Sequence, residues 1–343
     1  MNAKINTHIN NKTKRTYHYY TADVFTEQAF NGVPIPVFVD ASGLSAEQMQ
    51  QLAGELSTSS TVFLFPCDQA INDRENTQQV TTQAQKIIRI FSPQKELPAG
   101  IHTILAASFI LAETGFVPLN NKHTPIAFVD GFTGNKEIKD QQIQTYVSKK
   151  TTDKVANSKA GLVQQTYNTH AAIDYYTPTN EELAAMLSLS PADIGFDHYK
   201  PLIVSCGVPY LIVPIMSYNA IREAKFNEAA WSNSSAPSSL AQEILLFANN
   251  TDDNPADFHA RLLGPSIAHH EDPPIGGAIA AFANHICSHE HIQVGTHVFG
   301  IQRGANDARK SFFFVEMDNN KSHDLTIRVG GYAVLMSTAN INL

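Results

Sequence analysis

Two stretches about half a chain apart constrain this sequence more than anything else in it. The first runs Arg89-Ile90-Phe91-Ser92-Pro93, then Glu96-Leu97-Pro98-Ala99-Gly100-Ile101-His102, and enters the apolar run Ile104–Ala112. The second runs Arg261-Leu262-Leu263-Gly264-Pro265, then Glu271-Asp272-Pro273-Pro274-Ile275-Gly276-Gly277, and enters Ala278-Ile279-Ala280-Ala281-Phe282-Ala283. Each reads as an Arg-started strand, a Pro-ended turn, an acidic residue, a proline, and a helix apolar nearly all round. Such a helix is buried on every side. Two copies imply duplication rather than a solenoid, which needs several short repeats. If the halves pack face to face, both helix N-termini point into one cleft with their free N–H groups and positive dipole ends. Glycines at the mouths let backbone approach a small anionic ligand. The plainer alternative is that Asp272 caps its helix and the glycines allow tight packing.

A chain of 343 residues suggests two domains, and 43% hydrophobic with 16% charged residues fits a globular protein with substantial cores. A net charge of −8, a pI near 5.9 and the lack of a Lys/Arg stripe argue against a nucleic-acid partner. No apolar run approaches membrane-spanning length and the N-terminus has no apolar signal core, so no membrane partner is expected and a cytoplasmic location is. The three cysteines, Cys67, Cys206 and Cys287, are too scattered for a disulfide framework or a thiolate metal site. His269, His270, Glu271 and Asp272 lie at the opposite end of a helix from His285, His289 and His291. The two groups cannot share an ion, and His285 and His289 are expected on a solvated helix end.

Residues 1–16 read as a disordered tail. Strands are expected over Tyr17–Phe25, Ile35–Val39, Thr61–Phe65 and Lys86–Phe91, with shorter ones at Thr124–Val129 and Ile143–Val147. Ser45-Ala46-Glu47-Gln48 is a capping-box signature with Met49, Leu52, Ala53 and Leu56 following at helical spacing, and Thr179-Asn180-Glu181-Glu182 opens another helix. Residues 68–81 are polar and read as a long loop. Further on, Leu202–Cys206, Tyr210–Ile215 and Ile244–Ala248 read as strands, and the Ser-rich Ser232–Ser239 as an exposed loop. His297–Arg303, Ser311–Glu316 and Leu325–Met336 supply closing strands. The expected class is α/β of the α+β type. Two similar domains, 17–172 and 173–329, each wrap a curved or barrel-like strand set around a central buried helix. They are pseudo-twofold related with a cleft between them, and the last strand (330–343) is expected to return and complete the first.

Several blocks in this order resemble the phenazine-biosynthesis isomerase-like (PhzF-like) family, which shares the diaminopimelate epimerase fold. They are Asp23-Val24-Phe25-Thr26…Phe30-Asn31-Gly32-Val33-Pro34, Leu56–Phe63, the Arg89–His102 block, Val204-Ser205-Cys206-Gly207-Val208-Pro209, Asp257-Phe258…Arg261…Pro265…Glu271-Asp272-Pro273, and Val329-Gly330-Gly331-Tyr332-Ala333-Val334. The resemblance implies a homodimer with no metal or organic cofactor. It also implies general acid/base movement of a proton on a small carboxylate substrate. It places His102 on the family's active-site histidine and Asp272 on its active-site aspartate. The family's principal acid/base glutamate falls on Ser60, and a serine cannot replace a carboxylate as a base. Other departures are Gly277 where the family has a serine hydroxyl, Val33 for an asparagine, and Gly100-Ile101 for Ala-Gly. The two cysteines of the epimerase relatives have no counterpart at either helix mouth, which argues against a two-thiol racemase.

The catalytic candidates are therefore Asp272 and His102, with Ser60 at the glutamate's position. Gly100, Ile101, Gly276, Gly277 and Val33 are the candidate substrate-binding positions, the glycines contributing backbone N–H groups. Against each stands a plain structural role: a helix cap for Asp272, a packed histidine for His102, turn caps for Glu96 and Glu271, and architectural ion pairs for Arg89 and Arg261. The expected function is a cofactor-independent proton-shift isomerase. Its alternative is an inactive homologue repurposed for small-molecule binding or regulation.

Overall fold

The computed structural model describes residues 15–67, 85–134, 142–150, 159–250, 255–267, 272–304, 308–320 and 324–343. The tail 1–14, the expected loop 68–81 and His269-His270-Glu271 lie outside the described residues. In the first half of the chain the elements are β1 (Thr16–Val24), β2 (Val33–Phe38), α1 (Ala46–Leu56), β3 (Thr61–Pro66), β4 (Gln85–Phe91) and β5 (Glu96–Leu97). They continue with α2 (Ile101–Glu113), β6 (His123–Asp130), β7 (Gln142–Lys149) and β8 (Ala160–His170). The second half begins with β9 (Ala172–Asp174), α3 (Asn180–Leu187), β10 (Leu202–Ser205), β11 (Pro209–Pro214), α4 (Tyr218–Glu223) and α5 (Glu228–Ser232). It ends with β12 (Glu243–Asn249), β13 (Phe258–Leu263), α6 (Ile279–Cys287), β14 (Gly295–Arg303), β15 (Ser311–Asn319), β16 (Asp324–Gly331) and β17 (Ala333–Asn342).

The strand pairings of the two halves repeat. In the first, β17–β1–β2 is antiparallel, β2–β3 parallel, β3–β4 antiparallel, β4–β6 parallel and β6–β7–β8 antiparallel. In the second, β9–β10–β11 is antiparallel, β11–β12 parallel, β12–β13 antiparallel, β13–β14 parallel and β14–β15–β16 antiparallel. Antiparallel β8 and β16 form the seam, with His170 opposite Asp324 and Val163 opposite Gly331. A parallel pair cannot be closed by a hairpin and needs a crossover. The crossover from β4 to β6 is α2, and that from β13 to β14 is α6. The fold is thus mixed α/β, two similar halves each wrapping strands around a buried helix.

Those two helices form where the sequence leaves no polar face. From Ile101 to Ala112 every residue of α2 but His102 is buried, and so is most of α6. Their side chains, among them Ile104, Phe109, Ile279 and Phe282, share one central apolar cluster. The capping boxes at Ser45 and Thr179 both form, starting α1 and α3 where local chemistry places them. Smaller clusters sit outside the sheet, under α1 (Met49, Leu52 with Phe38 and Phe63) and under α3–α5 (Leu187, Trp231).

Three expectations need correction. The Ser-rich stretch is not a simple exposed loop: Ser232 ends α5, and Ala236–Ser238 form a 3-10 turn with Ala236 buried. The serines satisfy backbone there, Ser234 Oγ donating to the Trp231 carbonyl and accepting from the Ala236 N–H. The C-terminal end of α6 is not solvated either. His285 is fully buried and its Nε2 lies 2.8 Å from the Lys200 carbonyl, while the Lys200 N–H donates to His289 Nε2 at 3.2 Å. The two imidazoles clip both sides of one residue's backbone. Finally, the expected strand Leu325–Met336 is two strands broken at Tyr332.

Candidate functional site

The start of α2 is fixed by groups upstream of it. Gly100 is the N-cap; its N–H donates to Thr103 Oγ1 at 3.2 Å, and the Thr103 hydroxyl donates to the Gly100 carbonyl at 2.7 Å. The Gly100 N–H is therefore occupied within the helix mouth. Buried Asp130, at the end of β6, accepts from the Ala99 N–H at 3.0 Å and the Phe132 N–H at 2.9 Å. Burial pushes its carboxyl above the ordinary value despite those bonds. Arg89 pairs with Glu96 at 2.7 Å, the architectural ion pair expected of Arg89, so Glu96 serves as its partner rather than only as a turn cap.

At the second residue of α2, within its first turn, stands His102. Its ring meets the edges of Phe25 (centroids 5.3 Å) and Phe313 (6.0 Å), and its Nε2 is buried with no hydrogen-bond partner. Burial, reinforced by the Arg303 charge, lowers its pKa to about 3, so the imidazole is neutral at physiological pH. The ring lies directly on the other mouth: a β-carbon on Gly276 would fall 2.2 Å from His102 Cε1 and 2.6 Å from Ile101 Cγ2. The two helix starts touch through these residues.

Asp272 does not cap α6. A 3-10 turn, Gly276–Ala278, precedes that helix without a side-chain cap, and Asp272 lies upstream of it. Its Oδ2 accepts from Arg222 Nη1 at 2.8 Å, while Oδ1 is buried and unpartnered. Buried Arg303 holds the backbone here, donating through Nε to the carbonyls of Asp272 (2.9 Å) and Pro273 (3.0 Å). Arg222 comes from α4, whose C-terminal carbonyls are gathered by Arg261 Nη1: Ile221 at 3.1 Å, Arg222 at 3.3 Å and Ala224 at 2.9 Å. Arg261 is thus architectural through carbonyls rather than through the expected carboxylate. Beside it on β13, His259 packs on Tyr218 at 4.7 Å with both ring nitrogens unpartnered, and burial and the nearby Arg222 lower its pKa to about 4.

The remaining candidates lie as follows. Ser60 immediately precedes β3, partly exposed, and its hydroxyl has no partner among the described residues. Val33 begins β2 opposite Val24, inside the central apolar cluster. Gly277 is close to the Tyr210 hydroxyl, 2.8 Å from where its β-carbon would be. The structure brings His102, Ile101 and Gly276 into contact. It connects them to Asp272 through Arg303, which donates to the Asp272 carbonyl and whose charge bears on His102. Arg222, Arg303, Asp130 and Tyr210 were missed in the sequence. Each acts on a residue tens of positions away, with no local motif to mark it.

The profile of the phenazine biosynthesis-like protein family (PhzC-PhzF) matches residues 22–339. An uncharacterized isomerase of Mesorhizobium japonicum is 26% identical over 329 residues, 95% of this chain and 99% of that protein. The trans-2,3-dihydro-3-hydroxyanthranilate isomerase of Pseudomonas chlororaphis is 24% identical over 330 residues, 95% of this chain and 100% of the relative. Among solved structures, a PhzF-family phenazine biosynthesis protein from Bacillus anthracis superposes with a TM-score of 0.73 at 19% identity, covering 95% of this chain and 99% of its own. A probable proline racemase from Agrobacterium radiobacter has the same overall fold at a TM-score of 0.55 and 12% identity, covering 95% and 92%.

Proposed function

Because the chain belongs to the phenazine biosynthesis-like (PhzC-PhzF) family, we propose that it is an isomerase that shifts a proton on a small carboxylate metabolite where its two helix mouths meet. The observation that carries this reading is the contact of His102, from the first mouth, with Gly276 of the second. His102 Nε2 and Asp272 Oδ1 are both buried without partners. A buried polar atom left unpaired costs about 1–3 kcal/mol, a cost that a bound substrate would relieve. In the proposed reaction Asp272 and the neutral His102 divide the removal and return of the proton, and N–H groups at Gly276 and Gly277 face the substrate's negative charge. Ser60, at the position of the family glutamate, binds without acting as base. Relatives named as isomerases support the reaction class, and the P. chlororaphis relative makes trans-2,3-dihydro-3-hydroxyanthranilate the first compound to try.

A second reading is favoured by one contact. Arg222 neutralises Asp272, and a carboxylate held this way suits ligand binding without turnover. Turnover by Asp272→Asn and His102→Ala separates the two. The isomerase reading expects both variants to lose at least about 100-fold in kcat/KM, within the range typical of general acid/base groups; wild-type rates in both would sink it. The homodimer expected from the resemblance is to be checked by light scattering.

A further inference from the structure

Gly276 and Gly277 are adjacent, and each makes room for a polar side chain from a different part of the fold. Gly276 seats the His102 ring, and Gly277 seats the Tyr210 hydroxyl, which would lie 2.8 Å from a β-carbon placed there. Tyr210 is on β11, 7% exposed, and its ring is part of the central apolar cluster. Its hydroxyl has no hydrogen-bond partner among the described residues. The ring is buried while the oxygen at its tip is left open to a partner from outside the fold. The oxygen is aimed at the 3-10 turn Gly276–Ala278 that opens α6, where the N–H groups of Ala278 and Ile279 are taken by the carbonyls of Ile275 and Gly276 and those of Gly276 and Gly277 come before them.

We propose that Tyr210 is a ligand-binding residue of the second helix mouth, its hydroxyl donating a hydrogen bond to the anionic oxygen of a bound carboxylate beside the N–H groups of Gly276 and Gly277. The inference rests on the reading of this mouth as the substrate site, and it supplies the hydroxyl that the sequence lacks at position 277. The phenol is suited to donate and not to ionise: burial and, secondly, Glu243, its register partner on β12, hold its pKa above the ordinary tyrosine value. Gly277 is what admits the oxygen. The β-carbon of any side chain at that position would crowd the oxygen, at 2.8 Å.

The test uses benzoate as the carboxylate probe and benzamide as its neutral counterpart, with affinities from calorimetry on the full chain. Wild type is expected to prefer benzoate. Tyr210→Phe removes only the hydroxyl, and should weaken benzoate about tenfold while leaving benzamide affinity and Tm unchanged. Adding Gly277→Ser to Tyr210→Phe should recover most of the benzoate affinity, which a merely structural role for Tyr210 would not allow. Benzoate affinity unchanged in Tyr210→Phe, no preference for benzoate in wild type, or no benzoate binding at all would each overturn the proposal. A benzoate result as expected together with undiminished turnover in Asp272→Asn would leave Tyr210 as an anion-binding residue and defeat the catalytic reading instead.

Discussion

At Gly276 a methyl group would occupy the place of His102 Cε1, only 2.2 Å away. Gly276→Ala is therefore expected to cost about 1–3 kcal/mol of stability, as overpacking does, and to displace the imidazole. Chemical denaturation and the histidine ring resonances check this; unchanged stability with an unmoved ring would show that the two mouths are not in contact. Arg222 and Asp272 form a single-bonded pair, with Asp272 nearly buried and Arg222 side chain 22% exposed. Removing the guanidinium strands a buried carboxylate, so Arg222→Gln should destabilise by about 1–3 kcal/mol, below the usual cost of breaking a fully buried pair because solvent reaches the arginine. A double-mutant cycle with Asp272→Asn should recover most of that loss. Additive losses would mean that the pair is not coupled.

At the scale of elements, α4 is six residues long and is held by Arg261 through three carbonyls. Arg261→Met keeps the volume but removes those bonds. A Tm several degrees lower is expected, with faster amide exchange in Tyr218–Glu223; unchanged exchange there would deny Arg261 its capping role. The sequence showed α1 and α3 plainly because their capping boxes are local chemistry, and α2 because its apolar run has no polar face. It did not show β8, whose Gln164, Gln165, Asn168 and Thr169 look like loop. That strand exists because β7 and β16 hold it from both sides. The site was half legible for the same reason. The residues of the helix mouths are close in sequence to the helices they open. Arg222, fifty positions from Asp272, reaches it only through packing of α4 on β13.

For the whole molecule, the repeated pairings and the return of β17 to β1, from Thr16 opposite Asn342 to Val24 opposite Ala333, lead us to propose units of 17–172 with 330–343 and of 173–329. Ending the chain after Gly331 should then leave the first unit unable to fold while the second keeps its own transition, and amide exchange still protected across β1–β8 in that truncated chain would contradict the division. Acid sensitivity is also a global property. His102 and His285 titrate near 3 and His259 near 4 when folded, against 6.5 ordinarily. The unfolded chain takes up protons first as pH falls, so stability present above 6.5 is lost progressively below it, by up to about 1.4 kcal/mol per pH unit for each histidine. Raised carboxyl values at Asp23, Asp130 and Glu243 act in the opposite direction, but only once the pH nears the range in which those groups take up protons. Denaturation midpoints should therefore fall between pH 7 and 5.5; a flat profile would mean that these imidazoles are not buried. The proton shift itself is most directly tested by incubating the protein with trans-2,3-dihydro-3-hydroxyanthranilate in deuterium oxide and locating the label by NMR. The expected result is an isomerised product with solvent deuterium at one carbon for the wild type and none for Asp272→Asn, whereas no incorporation by the wild type, or equal incorporation by both, would contradict a proton-shifting site at the helix mouths.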